Sequence, residues 1–317
     1  SLFFQNYGMK FVEIIVSDGM SNDSTKNIVI KNQKNNKNLR LIENPECIVS
    51  SGFNRALSIA KGEIIIRLDG HTLIAKDYIS KCVKALKNKS ATNVGGLMNA
   101  KGIAPFDKIV SIATSSRFGI GSSQFHFAKQ AQWVNTVYMG SWNRSIFEKI
   151  GGFDEELVRN QDDEFNFRII QSGGKIWLDP TIKSIYHPRN SVKKLFKQYF
   201  EYGLYKVRVM QKRGGFASLH HLVPGVFVFS LLVSMISFYF FRFPFFLILF
   251  SYLFSSFCFS ILESIKGKKY RLNFIFSLPV IFFVLHFSYG LGFLVGLIKF
   301  RTKWLDREVK DFHFNKK

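Results

Sequence analysis

Residues 13–18 read EIIVSD and residues 63–69 read EIIIRLD, so two apolar runs each end in an aspartate. Uninterrupted apolar runs of this length are typical of strands that are buried on both faces of a parallel sheet. In open α/β sheets, ligands bind in the crevice beyond the carboxyl ends of the strands. We therefore expect Asp18 and Asp69 to lie at a ligand site.

A third acidic motif, NQDDE at residues 160–164, follows the glycine-rich segment GGFD at residues 151–154. By itself such a motif is more typical of a solvated acidic turn. With the two upstream aspartates, it indicates a metal–nucleotide site and a catalytic base. Asp162 or Asp163 would begin a helix, where the positive helix N-terminus favours an ionised carboxylate that can take a proton from a hydroxyl.

Strand and helix signals alternate between residues 9 and 98, which predicts an α/β fold with a doubly wound, mostly parallel sheet. We assign residues 1–188 to this catalytic domain. The expected strands are 11–17, 39–42, 63–68, 92–98, 176–178 and 182–186, and the expected helices are 23–34, 51–60, 76–88, 144–150 and 162–172. Residues 99–135 are less regular and are interpreted as a mobile substrate loop. The chain opens without a methionine, and we expect an amino-terminal strand of the domain to be missing.

The chain has 317 residues and a formal net charge of +22, a balance that suits nucleic acid, anionic lipid or a phosphorylated ligand. Its three cysteines are odd in number and lack metal-site spacing, so they are interpreted as reduced structural thiols. The basic residues cluster beside apolar segments, and no nucleic-acid fold signature is visible. Nucleic-acid binding is therefore disfavoured.

After about residue 188 the character of the sequence changes. Residues 183–213 carry nine Lys or Arg against the single acid Glu201, and residues 189–221 are predicted to form a basic amphipathic segment at a membrane interface. Three uncharged runs follow and are long enough to span a membrane. They predict a membrane region over residues 222–298 with helices at about 222–241, 243–262 and 273–297, before a basic tail at 299–317.

The charge distribution conflicts with three complete crossings. Both the basic catalytic region and the loop 266–271 favour the cytoplasm, and two crossings between them satisfy this preference. A third crossing would place the basic tail on the outside. Either the tail is an exception to the positive-inside rule, or the segment 272–298 does not cross cleanly.

Residues 69–71, DGH, offer a carboxylate and an imidazole two residues apart, after a predicted strand. Asp69 and His71 are candidate ligands for a divalent metal, Mn²⁺ or Mg²⁺, and an imidazole favours Mn²⁺. The alternative for His71 is a turn histidine that only hydrogen-bonds the backbone. His187 is a further candidate ligand, although a structural role before Pro188 is favoured.

These segments resemble inverting glycosyltransferases of family 2. Residues 13–25 resemble the family's first aspartate segment, residues 67–71 lie where it has its metal-binding D-x-D, and residues 160–164 lie where it has E-D-x-D. Residues 198–203 (QYFEYG) and 286–293 (HFSYGLGF) extend the resemblance to the succinoglycan-biosynthesis group within the family. This sequence has His71 in place of the second Asp, Gln161 in place of Glu, and no Q-x-x-R-W motif, which argues against a processive synthase.

The resemblance implies a GT-A fold on the cytoplasmic face of the inner membrane. It implies a nucleotide-sugar donor, with UDP favoured, and a polyprenyl-diphosphate-linked saccharide acceptor in surface-glycan synthesis. Asp162 would be the base, with Asp69 and His71 at the metal and diphosphate. The residues expected at the nucleotide sugar are Asp18, Asp69, Asp163, Glu164, Gln198 and Tyr202. The alternatives are a polyprenyl-phosphate sugar synthase and a non-catalytic membrane adaptor or transporter component.

Overall fold

The computed structural model describes residues 1–121, 123–215, 219–266 and 272–314. These residues form two compact units. The catalytic unit contains residues 1–98, 124–185 and, at the end of the chain, residues from 308 onward. The helical unit contains the described parts of 99–123 and 186–307. The predicted boundary at 188 lies near the junction between residues 185 and 186. The insertion 99–123, however, belongs to the helical unit, and the tail from residue 308 onward belongs to the catalytic unit.

Strands and helices are interspersed up to residue 186, and the elements described after that residue are helices. The strands are β1 (Ile14–Asp18), β2 (Leu39–Glu43), β3 (Ile64–Ile66), β4 (Thr72–Ile74), β5 (Asn93–Ala100), β6 (Gln132–Val134), β7 (Tyr138–Asn143) and β8 (Ile176–Tyr186). The helices are α1 (Thr25–Gln33), α2 (Val49–Ile59), α3 (Tyr78–Lys89), α4 (Pro105–Ala113), α5 (Arg117–Ile120), α6 (Ser145–Ile150), α7 (Gln161–Gln171), α8 (Val192–Arg213), α9 (Val223–Ile236), α10 (Arg242–Lys266) and α11 (Leu272–Lys299).

Two sheets organise the described strands. β1 and β2 pair in parallel, with Ile14 opposite Leu39. The larger sheet has the order β3-β7-β5-β8-β4, and β6 pairs with β8. The expected α/β architecture is confirmed. Parallel pairing is found for β1 and β2, whereas β7 runs antiparallel to β3 and β5, and β6 antiparallel to β8. β7 enters the sheet after the long insertion that follows β5, rather than through the single helical crossover that parallel neighbours need.

An aromatic core fixes the carboxyl-terminal half of the catalytic unit. Phe53, Trp142, Phe147, Phe153 and Phe165 pack against one another in this core. Phe165 of α7 stacks on Phe147 of α6, with ring centroids 5.0 Å apart. Phe153 stacks on Phe53 of α2 at 4.4 Å. This packing holds the acidic helix α7 against α2 and α6.

The helical unit includes part of the segment that was expected to be a mobile loop. Within residues 99–135, the structure forms α4, α5 and β6 instead. Pro105 occupies the first turn of α4, and the Asp107 carboxylate accepts hydrogen bonds from the backbone N–H groups of Ile103 and Ala104. The apolar side of α4, including Val110, packs on Phe282 of α11. A proline start, a carboxylate cap and an apolar face together favour a helix.

Three described helices are long and apolar enough to cross a membrane, as predicted: Leu219–Tyr239, Arg242–Lys266 and Phe274–Lys299. The basic segment before them forms the 22-residue helix α8. The loop expected on the cytoplasmic side, at 267–271, lies outside the described residues. Of the predicted basic tail, residues 308–314 are part of the catalytic unit rather than a free extension.

Candidate active site

Asp69 lies three residues after the end of β3, and its carboxylate is held by Arg67. Arg67 Nε donates to Asp69 Oδ1 at 2.9 Å, and the two side chains are only 11% and 15% exposed. The Asp69 backbone turns there, because Thr72 N–H donates to Asp69 O at 3.0 Å. The Thr72 hydroxyl is 2.7 Å from the Tyr138 hydroxyl of β7. Asp69 thus lies in the turn between β3 and β4, and its backbone N–H lies 3.5 Å from Met139 Sδ of β7.

Asp162 lies in the first turn of α7 and shares the electrostatic environment of Arg67 and Asp69. Burial raises the pKa of the Asp162 carboxyl, Arg67 opposes that shift, and the charges of Asp163 and Asp69 add to it. The Asp163 backbone N–H donates to Asp162 Oδ1 at 2.9 Å. A partly buried carboxylate with a raised pKa is the form that suits a general base near neutral pH.

Glu164 belongs to a network that anchors α7. Its two carboxylate oxygens accept from Arg168 Nε and Nη2 at 2.7 Å and 2.8 Å, and its side chain is 3% exposed. Arg168 also donates to the carbonyl oxygens of Ile150 and Gly152. Both carboxylate oxygens of Glu164 accept hydrogen bonds from Arg168 in this buried ion pair. These contacts favour a role for Glu164 in positioning α7 over the donor-binding role expected from the sequence.

The turn before α7 is fixed by α2 and by the chain terminus. The Asn54 amide donates to Phe153 O at 2.7 Å and accepts from Phe153 N at 2.8 Å. Asp311 Oδ2 accepts from Gly152 N at 2.9 Å. The Glu155 carboxylate accepts from the backbone N–H of His313 at 3.1 Å and lies 2.6 Å from its ring Nδ1. The last described residues therefore help to set the start of the acidic helix.

Asp18 ends β1 as predicted, but its contacts are local. Its carboxylate accepts from Ser21 N at 3.0 Å, and Lys26 Nζ is 3.9 Å away. Hydrogen bonding by Ser21 is the largest influence and, with Lys26, it lowers the pKa of the Asp18 carboxyl against the opposing effect of burial. Asp18 therefore stays ionised. The structure groups Asp69 and Asp162 around Arg67, while Asp18 orders the loop after β1.

The predicted residues beyond 185 lie in the helical unit. Gln198 is buried on α8 and donates from Nε2 to the hydroxyls of Tyr186 and Tyr202, each at 3.1 Å. His187 Nδ1 lies 2.9 Å from Lys101 O, and since a carbonyl only accepts, Nδ1 is the donor. That backbone contact matches the structural interpretation of His187 rather than a ligand role.

The residues after β3 fit a divalent cation that takes few protein ligands. The carboxylate of Asp69 has one oxygen engaged by Arg67, and His71 is exposed on the same turn. Within the described ranges, no three His, Cys, Asp or Glu side chains converge on one point. A cation here would take Asp69 and His71 from the protein and its other ligands from a diphosphate and water, as Mg²⁺ and Mn²⁺ commonly do.

Arg67, Asn54 and Asp311 were not selected from the sequence. Arg67 is two residues before Asp69 and follows β3, and the sequence alone does not identify the two carboxylates that it faces. Asn54 and Asp311 act on a turn that is 99 and 159 positions away in sequence. An arginine in an otherwise apolar run was the one available signal, because burying that charge requires a partner.

The sequence matches the family described as "Glycosyl transferase family 2" over residues 2–151. One relative is the dolichyl N-acetyl-alpha-D-glucosaminyl phosphate 3-beta-D-2,3-diacetamido-2,3-dideoxy-beta-D-glucuronosyltransferase of Methanococcus voltae. It is 29% identical over 305 residues, covering 94% of this chain and 91% of the relative. Another is the succinoglycan biosynthesis protein ExoA of Rhizobium meliloti (strain 1021), 27% identical over 213 residues, with 67% and 64% covered.

Among solved structures, the fold is similar to that of the mannosyltransferase PcManGT from Pyrobaculum calidifontis, which was solved in complex with GDP-Man and Mn²⁺. The TM-score is 0.54 at 17% sequence identity, and the match covers 92% of this chain and 81% of that structure. This similarity supports the expected GT-A fold. The acidic helix α7 lies beyond the family match, so its role is argued from its contacts.

Proposed function

Because the chain is a glycosyltransferase that carries a family 2 domain, we propose that it is membrane-bound and moves a sugar, with inversion, from a nucleotide-sugar donor to a lipid-linked saccharide. The observation that carries this proposal is the pairing of Asp69 and Asp162 around Arg67. One carboxylate follows a strand end, where a donor diphosphate would bind, and the other begins a helix, where an acceptor hydroxyl would be activated.

The donor would bind beyond β1 and β3. Asp18 would contact the nucleotide base, and Asp163 would contribute to sugar binding. Asp69 and His71 would hold the divalent cation, which when bound neutralises charge on the leaving nucleoside diphosphate. A UDP-sugar is the favoured donor class.

Asp162 would act as the base. Its carboxylate takes the proton of the acceptor hydroxyl while that oxygen forms a bond to the anomeric carbon. The bond from the anomeric carbon to the donor phosphate oxygen breaks, and its electron pair leaves with the nucleoside diphosphate. The raised pKa of Asp162 makes it a stronger proton acceptor than an exposed aspartate. The charge of Arg67 opposes the rise in the pKa of Asp162 and so favours its ionised form.

The acceptor would be a saccharide on a polyprenyl phosphate or diphosphate. The name of the Methanococcus voltae relative describes an acceptor of this kind, a dolichyl phosphate that already carries a sugar. The three helices that are long and apolar enough to cross a membrane support an acceptor that stays in the membrane. The basic helix α8 would contact anionic lipid or the acceptor phosphate. The catalytic unit would lie on the cytoplasmic side of the cell membrane.

A polyprenyl-phosphate sugar synthase is the alternative from the same class. Its acceptor is the lipid phosphate itself, which is already ionised and needs no base. Transfer by an Asp162→Asn variant at the parental rate would therefore favour the synthase. A non-catalytic adaptor would bind no nucleotide sugar at all.

Sugar transfer by the full-length protein in native-like membranes tests the proposal. Labelled UDP- and GDP-sugars are supplied one at a time with Mn²⁺ or Mg²⁺ and a membrane lipid extract. We expect label from one donor to enter the lipid fraction, and to be lost with a chelator and in Asp162→Asn. A protein that binds none of the donors, by equilibrium dialysis, would refute the proposal.

A further inference from the structure

The end of the chain belongs to the same folded unit as the active site. Lys310 O accepts from Glu155 N at 2.7 Å, and Asp311 Oδ2 accepts from Gly152 N at 2.9 Å. His313 Nε2 also lies 3.2 Å from a carboxylate oxygen of Glu46. A single folded unit with these buried polar contacts cannot have its parts on opposite sides of a hydrocarbon core. The tail is therefore on the catalytic side of the membrane.

This placement restricts the membrane topology. Residues 186–307 leave the catalytic unit and return to it, so the chain crosses the membrane an even number of times between them. Three candidate membrane helices are described in that segment. At least one of the three does not complete a crossing.

α9 and α10 have the features of a complete hairpin. They are joined only through a short turn near Phe240, and Phe238 packs against Phe245 and Phe246 beside it. In their apolar windows, only 17% and 11% of the residues are buried by protein. Glu263, near the end of α10, lies within hydrogen-bond distance of Ser116, whose hydroxyl donates to it at 3.2 Å.

The Ser116 contact indicates the side on which α10 ends. Ser116 belongs to the insertion 99–123, and both ends of that insertion continue directly into the catalytic unit. The end of α10 is therefore on the catalytic side of the membrane. α9 would cross to the opposite side, and α10 would cross back. α11 then starts and finishes on the catalytic side.

α11 is more extensively covered by protein than α9 and α10 are. In its window, 44% of the residues are buried by protein. Backbone of the charged helix α8 approaches it closely: a Cβ at Gly292 would lie 2.0 Å from Phe200 O, and one at Gly296 would lie 2.7 Å from Leu204 O. α8 therefore runs alongside the carboxyl-terminal half of α11 in the same direction.

The charges of α8 exclude that half of α11 from the middle of the bilayer. A charged residue at the centre of a membrane is costly, and such residues are rare in membrane-spanning helices. The charged residues of α8 are Lys193, Lys194, Lys197, Glu201, Lys206, Arg208, Lys212 and Arg213. Beside α9, α11 contacts the first turn of that helix, since a Cβ at Gly290 would lie 2.1 Å from Pro224 O. α11 thus lies across the base of the hairpin, away from its turn at Phe240.

We propose that α9 and α10 are the two membrane crossings, that α11 does not cross, and that α11 returns the tail to complete the catalytic unit. The occupant of the exposed α9–α10 surface is lipid hydrocarbon. α11 lies at the membrane interface with α8, and its exposed apolar residues Phe276, Val280 and Ile298 face the acyl boundary. This proposal does not depend on which sugar is transferred, and it satisfies the positive-inside rule for the basic tail.

Cysteine labelling in sealed membrane vesicles of both orientations tests the proposal with a native reference. Cys47 is exposed in the catalytic unit and reports the catalytic side. In a Cys258→Ser background, the parent retains Cys47, whereas Phe312→Cys and Phe240→Cys are each combined with Cys47→Ser. Phe312 and Phe240 are 56% and 78% exposed, so both positions accept a cysteine. An impermeant maleimide is added before and after detergent.

We expect Phe312→Cys to react in the vesicle orientation that labels Cys47, and Phe240→Cys to react in the other. Detergent should allow all three to react fully, which checks that each thiol is accessible. Labelling of Phe312→Cys from the side opposite Cys47 would mean that α11 crosses, and would overturn the proposal. Labelling of Phe240→Cys from the Cys47 side would equally overturn it, because no hairpin would then cross.

Discussion

Arg67→Met removes one charge from the centre of the candidate site while keeping an apolar side chain of similar length. In the parent, Arg67 Nε lies 2.9 Å from Asp69 Oδ1. The guanidinium also lies 5.8 Å from the centre of the Phe153 ring. Its charge lowers the pKa of Asp162. The substitution therefore leaves two carboxylates facing each other without a compensating cation.

The exposure of the pair sets the size of the effect on stability. Removing one partner of a fully buried ion pair costs about 3–5 kcal/mol, whereas an exposed pair contributes about 0.2–1 kcal/mol. Side chains that are 11% and 15% exposed lie between these limits. We expect a loss of about 2 kcal/mol, which corresponds to a melting temperature lower by roughly 4–8 °C in a unit of this size. Thermal unfolding of the purified protein in lipid nanodiscs measures this change in melting temperature.

The same substitution should move the pH dependence of sugar transfer. Transfer needs ionised Asp162, so the rate rises as pH increases through its pKa. Without Arg67, that pKa is higher and the acid limb of kcat/KM moves to higher pH. Arg40→Met is the matched control, because Arg40 pairs with Glu13 at 2.6 Å on a more exposed part of the same unit. Equal acid limbs in Arg67→Met and the parent, or an equal shift in Arg40→Met, would refute the reasoning.

Three further predictions concern the metal site, the tail and the helix packing. Asp69→Asn should weaken metal-dependent donor binding, measured by calorimetry, by at least about tenfold, since losing only a hydrogen-bond partner of a metal ligand already costs that much. Asp311→Ala leaves the buried N–H of Gly152 without its acceptor, which costs about 1–3 kcal/mol. Steady-state kinetics should show kcat falling more than the donor KM rises. Gly292→Ala places a Cβ 2.0 Å from a carbonyl oxygen of α8 and should cost about 1–3 kcal/mol in thermal unfolding, whereas Gly215→Ala, with nothing within 4 Å, should be neutral.

The sequence predicts the parts of the catalytic unit that local pattern determines. The apolar runs before Asp18 and Asp69 form strands that end near those residues, and the acidic motif begins a helix at Gln161. The three apolar runs near the carboxyl terminus also form the expected helices. Each of these features depends on residues close together in the chain, so periodicity and composition suffice to predict it.

Features that depend on contacts between distant residues were not predicted. The insertion after residue 98 forms α4 because its apolar face packs on α11, some 170 positions later in the chain. The tail was expected to be a basic extension, yet Asp311 and His313 bind the turn before α7. The direction of β7 in the sheet likewise depends on its partners β3 and β5. Net charge and local pattern contain no information about such pairings.

The central claim is that Asp162 is the base for transfer of a sugar to an acceptor hydroxyl. The most direct measurement is single-turnover transfer by Asp162→Asn with the identified donor and lipid acceptor, with Asp163→Asn as the neighbouring control. We expect the single-turnover rate constant to fall about 10²–10⁴-fold in Asp162→Asn with donor affinity nearly unchanged, and Asp163→Asn to affect donor affinity more than that rate constant. Transfer by Asp162→Asn at the parental rate would contradict the claim.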